Sequence, residues 1–361
     1  MLNIVLIVKY YYPLKRPSGI LRFVMNLSEK LGRISNLTII TCKFDKKHES
    51  SERFKGYGII RVNSPFYISS AIEAAKLKPD LVIFGTGIPK PWLLFFVLLI
   101  FKKTKAIFSY LYGGPIGRIF LYQFVELEYK YRFFAGQIGK IVNKVICTNR
   151  YIYSYYSKNG KSGNAIYLPP GIDLAKFYNI KNRTNEKIRV GFFGHLSYNK
   201  GSDMLLNSFL KLNNGNIELL LAGLGNLEDE LKKRSLKHEN IFIRGYIDNI
   251  EDAIASCDLL VFPYRHSEMI LGLSLSAIEG LAMGKPLLVS DSNCLRDLVI
   301  HGKNGYVFNN EDELTGHLSE LTEDRNKLRA FGLRSKEKSS EFDIDLICDK
   351  LIDAIAGGNQ P

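Results

Sequence analysis

The sequence predicts an α/β protein built as two doubly wound parallel-sheet domains facing a central cleft, and three observations predict it. The chain has 361 residues, enough for two domains that each bury a core. Short apolar runs alternate with amphipathic stretches along its whole length, the pattern of parallel strands joined by right-handed helical crossovers. The alternation breaks once, at Leu168-Pro169-Pro170-Gly171-Ile172-Asp173 and the polar stretch from Asn179 to Lys187. Paired prolines and a glycine there stop one set of elements before the next begins.

The elements follow in order. Strands are expected at 2–8, 37–41, 59–62, 80–84, 105–110 and 144–147, then at 188–193, 217–222, 241–243, 258–262 and 286–289. Helices are expected at 20–32, 202–212, 227–237, 248–256 and 273–283. Residues 1–170 form the first domain, 171–187 the linker and 188–340 the second domain. The helix within 341–361 is placed to cross back to the first domain. Leu2 to Val8 lacks a basic leader and a small-residue cleavage site, so it reads as a first strand, not a signal peptide. Trp92 to Phe101 is wholly apolar but too short to span a bilayer. It reads either as a buried helix or as an interfacial one, with Lys102, Lys103 and Lys105 at headgroup level.

Composition narrows the function. The five cysteines are scattered, with no C-x-x-C. This argues against a disulfide framework or a zinc site and fits a reducing compartment. Residues 1–178 carry 27 Lys and Arg against 9 Asp and Glu, or +18, whereas residues 179–361 carry 22 against 27, or −5. So basic a first half suggests an anionic partner, such as a membrane surface or a phosphorylated lipid, the alternative being that the charge serves solubility alone. Nucleic acid is not supported, because no recognisable binding motif accompanies the charge.

Four segments carry candidate chemistry. Pro17-Ser18-Gly19 lies between the first strand and its helix, where a glycine lets backbone N–H groups approach a ligand. Gly194-His195 and Lys200-Gly201 follow the strand at 188–193. A cation and a helix start together suit a diphosphate there. Gly223-Leu224-Gly225 ends the next strand and leaves room for a base, a ribose or tight packing. The block from Asp258 to Pro286 holds a buried strand, Arg265, a loop to Gly272, Leu273 and Ser274, and a helix bearing Ser276 and Glu279. Amides at that helix start suit a phosphate, and a carboxylate two turns inside suits ribose hydroxyls. No G-x-G-x-x-G is present, so a dinucleotide-dependent dehydrogenase is not supported.

These segments, in this order, resemble the family-4 glycosyltransferases of GT-B type, whose two domains are Rossmann-like. The resemblance rests on Pro170-Gly-Ile-Asp173 with Phe177, Gly194-x5-Lys200-Gly201, Gly223-x-Gly225, Gly245-Tyr246, Glu279-x-Leu-Ala-Met-Gly284-Lys-Pro286 and His301-Gly-x-Asn-Gly305. It implies a hexosyltransferase that uses a UDP- or GDP-sugar as co-substrate, with no tightly bound cofactor and no metal. The donor belongs to the second domain. A glycan or lipid-linked acceptor belongs to the first, at Tyr112 and Gly113. The expected location is cytoplasmic, peripheral at the inner membrane face. The resemblance further implies catalytic roles for Lys200, Glu279 and Glu268. Donor contacts fall on Gly19, Gly194, His195, Lys200, Gly223, Gly225, Tyr246, Arg265, Gly272, Leu273, Ser274 and Glu279. The sequence departs from the family at Leu271, where a first glutamate is expected, at His195, usually arginine, and at Tyr112, often histidine. The alternatives are a catalytically degenerate nucleotide-binding scaffold and another GT-B chemistry, such as epimerisation or sugar phosphorolysis.

Overall fold

The computed structural model describes residues 1–13, 19–45, 47–84, 105–110, 144–150, 153–154, 165–182, 186–265, 273–292 and 294–356. The chain divides into two compact units, Met1–Gly171 with Ile344–Pro361, and Ile172–Asp343.

Unit one contains β1 (Asn3–Ile7), α1 (Gly19–Ile34), β2 (Asn36–Cys42), β3 (Ser51–Phe54), β4 (Tyr57–Val62), α2 (Phe66–Lys76), β5 (Leu81–Phe84), β6 (Lys105–Tyr110), β7 (Lys144–Cys147) and β8 (Ala165–Tyr167). They form one sheet in the order β3-β4-β2-β1-β5-β6-β7-β8. Every pairing is parallel except β3 with β4. Ile4 pairs with Leu37 on one side and Leu81 on the other, and all three are buried. A central parallel strand buried on both faces reads as a continuous apolar run.

Strand β3 was not expected. Its sequence, Ser-Glu-Arg-Phe, is too polar to mark itself, as suits an edge. The turn into β4 did leave a signal: Lys55 and Gly56 both have positive φ, 47° and 92°, the geometry of a two-residue hairpin that favours X-Gly.

Unit two contains α3 (Leu174–Tyr178), β9 (Ile188–Phe193), α4 (Ser202–Leu212), β10 (Ile217–Ala222), α5 (Glu228–Ser235), β11 (Ile241–Arg244), α6 (Ile250–Ala255), β12 (Leu259–Phe262), α7 (Leu275–Ala282), β13 (Leu287–Ser290), β14 (Gly305–Phe308), α8 (Glu311–Glu323) and α9 (Arg325–Ser339). Its sheet runs β11-β10-β9-β12-β13-β14, parallel throughout. Strand order therefore reverses direction between β9 and β12, the point where open α/β sheets place their ligands beyond the carboxyl ends.

The last helix, α10 (Ile344–Ala356), belongs to unit one. Ile344, Ile347, Cys348 and Leu351 recur at helical spacing and join the core built by α1 and β1. All five cysteines are free thiols. Among the described residues no helix is long and apolar enough to cross a membrane. The apolar run Trp92 to Phe101 lies outside them.

Candidate active site

The loops leaving β9 and β12 are stitched together at the reversal point. After β9 the chain passes through Gly194 to Ser197, makes a 3-10 turn at Tyr198–Lys200 and enters α4 at Ser202. After β12 it runs Pro263-Tyr264-Arg265. Gly201 has φ +69°, and a Cβ there would fall 1.8 Å from the Pro263 carbonyl oxygen, so only glycine fits between the two loops. The Arg265 N–H donates to the Asn199 carbonyl at 3.0 Å. The Arg265 guanidinium grips both Asp203 oxygens at 2.7 Å, donates to the Tyr198 carbonyl and lies 3.7 Å over the Tyr198 ring. Ser276 Oγ ties the first turn of α7 to the end of β9 by donating to the Phe193 carbonyl at 2.8 Å. Ser290 Oγ does the same between β13 and β12, donating to the Tyr264 carbonyl at 2.6 Å.

Two cations therefore share this edge in different states. Arg265 has a counter-ion built in. Lys200 has no carboxylate partner among the described residues; its Nζ sits 3.6 Å from the centroid of the Tyr264 ring. His195 is exposed beside it. Desolvation of the ring, and then the Lys200 charge, lower the His195 pKa below its ordinary value. At neutral pH His195 is thus a neutral hydrogen-bonding group and Lys200 carries the local charge.

The other expected donor residues divide. Gly223 and Gly225 open space, but the β9 exit loop fills it: a Cβ on Gly223, at φ +148°, would meet the Gly194 carbonyl oxygen at 1.8 Å, and one on Gly225 the Leu196 carbonyl oxygen at 2.0 Å. Packing explains these two glycines without a ligand. Arg265 likewise acts as a loop clamp, its charge spent on Asp203. Tyr246 stands partly exposed beyond β11. Leu273 is half-buried and leads to Ser274, the residue before α7, whose hydroxyl lies 3.0 Å from that of Ser276. Glu279 is 2% exposed on a helix whose eight residues are all buried. Gly19 opens α1 and is exposed. Glu268, Leu271, Gly272, Tyr112 and Gly113 lie outside the described residues.

Tyr264 and Asp203 carry roles that the sequence did not reveal. Tyr264 follows a buried strand, and its pairing with Lys200 depends on β12 lying beside β9. An open cavity of about 510 Å³ lies elsewhere, past β13 and β14, lined by Asp291, Arg296, Val299, His301, Val307 and Asn309. Among the described residues no group of His, Cys, Asp and Glu is placed to hold a metal ion.

Residues 187–324 match the family model described as glycosyl transferases group 1. The chain is 28% identical over 219 residues to "Uncharacterized glycosyltransferase MJ1178" of Methanocaldococcus jannaschii, covering 59% of this chain and 59% of that protein. It is 23% identical over 350 residues to a GDP-mannose-dependent alpha-(1-6)-phosphatidylinositol monomannoside mannosyltransferase of Mycolicibacterium smegmatis, covering 89% and 90%. Sucrose-phosphate synthase from Thermosynechococcus elongatus superposes with a TM-score of 0.80 at 17% identity over 99% of both chains. Anabaena Alr3699/HepE, solved with UDP and glucose, gives 0.76 at 14% identity over 99% of this chain and 100% of that one. At these identities the solved structures establish the shared fold.

Proposed function

We propose that this chain, which is a group 1 glycosyltransferase of GT-B architecture, moves a hexosyl group from a UDP- or GDP-sugar to a glycan or lipid-linked sugar. One observation carries the donor half: Lys200, a cation with no carboxylate partner among the described residues, sits at the strand-order reversal, on the loop that enters α4. Such a place suits a diphosphate, because a positive charge stands there at the start of a helix. The UDP bound by HepE and the GDP-mannose named for the mycobacterial relative support a nucleotide donor of this class.

In the proposed reaction the bond from the anomeric carbon to the diphosphate oxygen breaks, and its electron pair stays with the diphosphate. Lys200 and the amides near Leu273 and Ser274 stabilise that growing charge. Because they are already in place, little reorganisation opposes the step. The acceptor oxygen bonds to the anomeric carbon on the same face, and its proton passes to the departing phosphate, which retains configuration. Glu279 holds the ribose, and Glu268 serves the sugar in place of the glutamate missing at Leu271. The acceptor belongs to unit one, at the inner membrane face, where a charge of +18 over residues 1–178 favours an anionic lipid surface. Leu271 also motivates the second reading, a nucleotide-binding scaffold without turnover.

The test is thermal stability with UDP, GDP, ADP and their sugar conjugates. A ligand at one hundred times its Kd adds about 2.7 kcal/mol. A midpoint shift with one nucleotide, lost in Lys200→Ala, supports the donor site and chooses the base. No shift with any of them sinks it. Sugar transfer from the chosen donor separates the enzyme from the scaffold.

A further inference from the structure

We infer that Tyr264 is the positioning residue for Lys200: its ring face, not its hydroxyl, seats the ammonium that receives the donor diphosphate. This rests on the donor-site reading above.

The Lys200 Nζ lies 3.6 Å from the ring centroid, the closest cation-to-ring approach among the described residues. An ammonium over an aromatic face is attracted by the ring quadrupole, and more strongly when water is excluded. The ring is 3% exposed, so the face beneath Lys200 is dry. It is fixed twice. It stands edge-on to Phe262, with centroids 6.2 Å apart and planes at 89°, and its carbonyl accepts the Ser290 hydroxyl. Lys200 is fixed from its own side by Gly201 against Pro263 and by Asn199 against Arg265.

Residues 263, 264 and 265 thus touch the 198–203 loop in succession, and the middle contact falls on the cation. A lysine side chain normally loses considerable rotamer freedom when it binds a ligand. Here the ring selects the rotamer before the ligand arrives, and the N–H donors not directed at the ring are left for an anion. A carboxylate would also have fixed Lys200, as Asp203 fixes Arg265, but would have cancelled the charge. An aromatic face holds the cation without neutralising it, which is what an anion site requires.

The experiment is calorimetric titration of the full chain with UDP and with GDP. The proteins are wild type, Lys200→Ala, Tyr264→Phe, Tyr264→Leu, Tyr264→Met and the double variant Lys200→Ala with Tyr264→Leu. Tyr264→Leu should weaken binding about 5- to 30-fold, and Tyr264→Phe should stay within about 2-fold, because the ring is kept. In the Lys200→Ala background, Tyr264→Leu should cost nothing further. Tyr264→Met repeats the test if the leucine variant does not fold. A loss that persists at full size without Lys200, or an equal loss in Tyr264→Phe, overturns the inference and leaves the donor site standing. Unchanged binding in Lys200→Ala overturns the donor site and the inference with it.

Discussion

The two units share one architecture and differ at the edge where their strands end. In unit two that edge is closed by backbone and buried side chains, with loops laced together by Gly201, Arg265, Ser276 and Ser290. In unit one the described part of the same edge is open and aromatic. Tyr10 and Phe44, just past β1 and β2, stack at 5.0 Å and are 41% and 48% exposed. The Lys9 ammonium lies 5.3 Å from the Tyr10 ring. Beneath them Tyr11 is buried and shares a 2.7 Å hydrogen bond with the Tyr57 hydroxyl. A sheet of given topology fixes where an edge lies, whereas the side chains on it decide what it receives. One edge presents a cation within closely packed loops, and the described part of the other presents exposed aromatic rings beside a lysine.

The largest effect should come from removing the cation at the closed edge. Lys200→Ala should lower sugar transfer by about 10²- to 10³-fold, the scale of losing one fixed group that stabilises developing negative charge. Melting without nucleotide should move little, since Lys200 supports no ion pair among the described residues. Turnover within a few-fold of wild type would break the comparison, because the lysine would then be an ordinary loop residue.

The next effect tests the core of unit one. Ile347 is fully buried on α10 against α1 and β1. Ile347→Ala should cost about 2–5 kcal/mol, read as faster hydrogen exchange in β1, β2 and β5 with less change in β9 and β10. Uniform acceleration across both sheets would mean that the units do not open separately.

How far the sequence disclosed this difference follows from burial. The strands at 188–193 and 217–222 were legible because both lie inside a parallel sheet and read as apolar runs, broken only by Arg189 and Glu218, which pair with each other. Strands β3 and β14 were not. The first is polar at an edge, and the second begins at Gly305, which closes the turn-like Gly302-Lys303-Asn304-Gly305 in sequence; a Cβ there would fall 1.8 Å from the Leu287 carbonyl oxygen. The Gly194 to Gly201 segment was legible as a strand-to-helix loop with a cation. Tyr264 beneath that cation was not, being 64 positions away and brought close only by the order β9-β12.

A third effect lies at the opposite, amino edge of unit two. Lys285 is 3% exposed, and its Nζ donates to the carbonyls of Ala255, at 3.2 Å, and Cys257. Burial pulls its pKa from 10.5 down to about 8. Between those values the unfolded chain binds more protons than the folded one, so stability rises with pH across the window. Below it both states are protonated, and the penalty is constant. Raising the pH from 7.5 to 10 should therefore stabilise wild type relative to Lys285→Met by on the order of 2 kcal/mol. Parallel pH profiles for the two proteins would show that the lysine is not desolvated in this way.

The smallest effect separates apolar from ionic attachment of α10. Lys30 and Asp345 approach to 2.6 Å, but the aspartate side chain is 63% exposed. A pair so open to water gains little, because solvent and salt screen the attraction and two side chains lose freedom to hold it. Asp345→Asn should change stability by less than about 0.5 kcal/mol, and added salt should not change that difference measurably. The contrast with Ile347 on the same helix is the sharper measurement. If both variants were equally damaging, α10 would be held by charge, and the basic character of unit one would govern its folding as well as its choice of partner. If only the isoleucine matters, the apolar face holds the helix, and the excess positive charge of residues 1–178 is left to act on what unit one meets in solution.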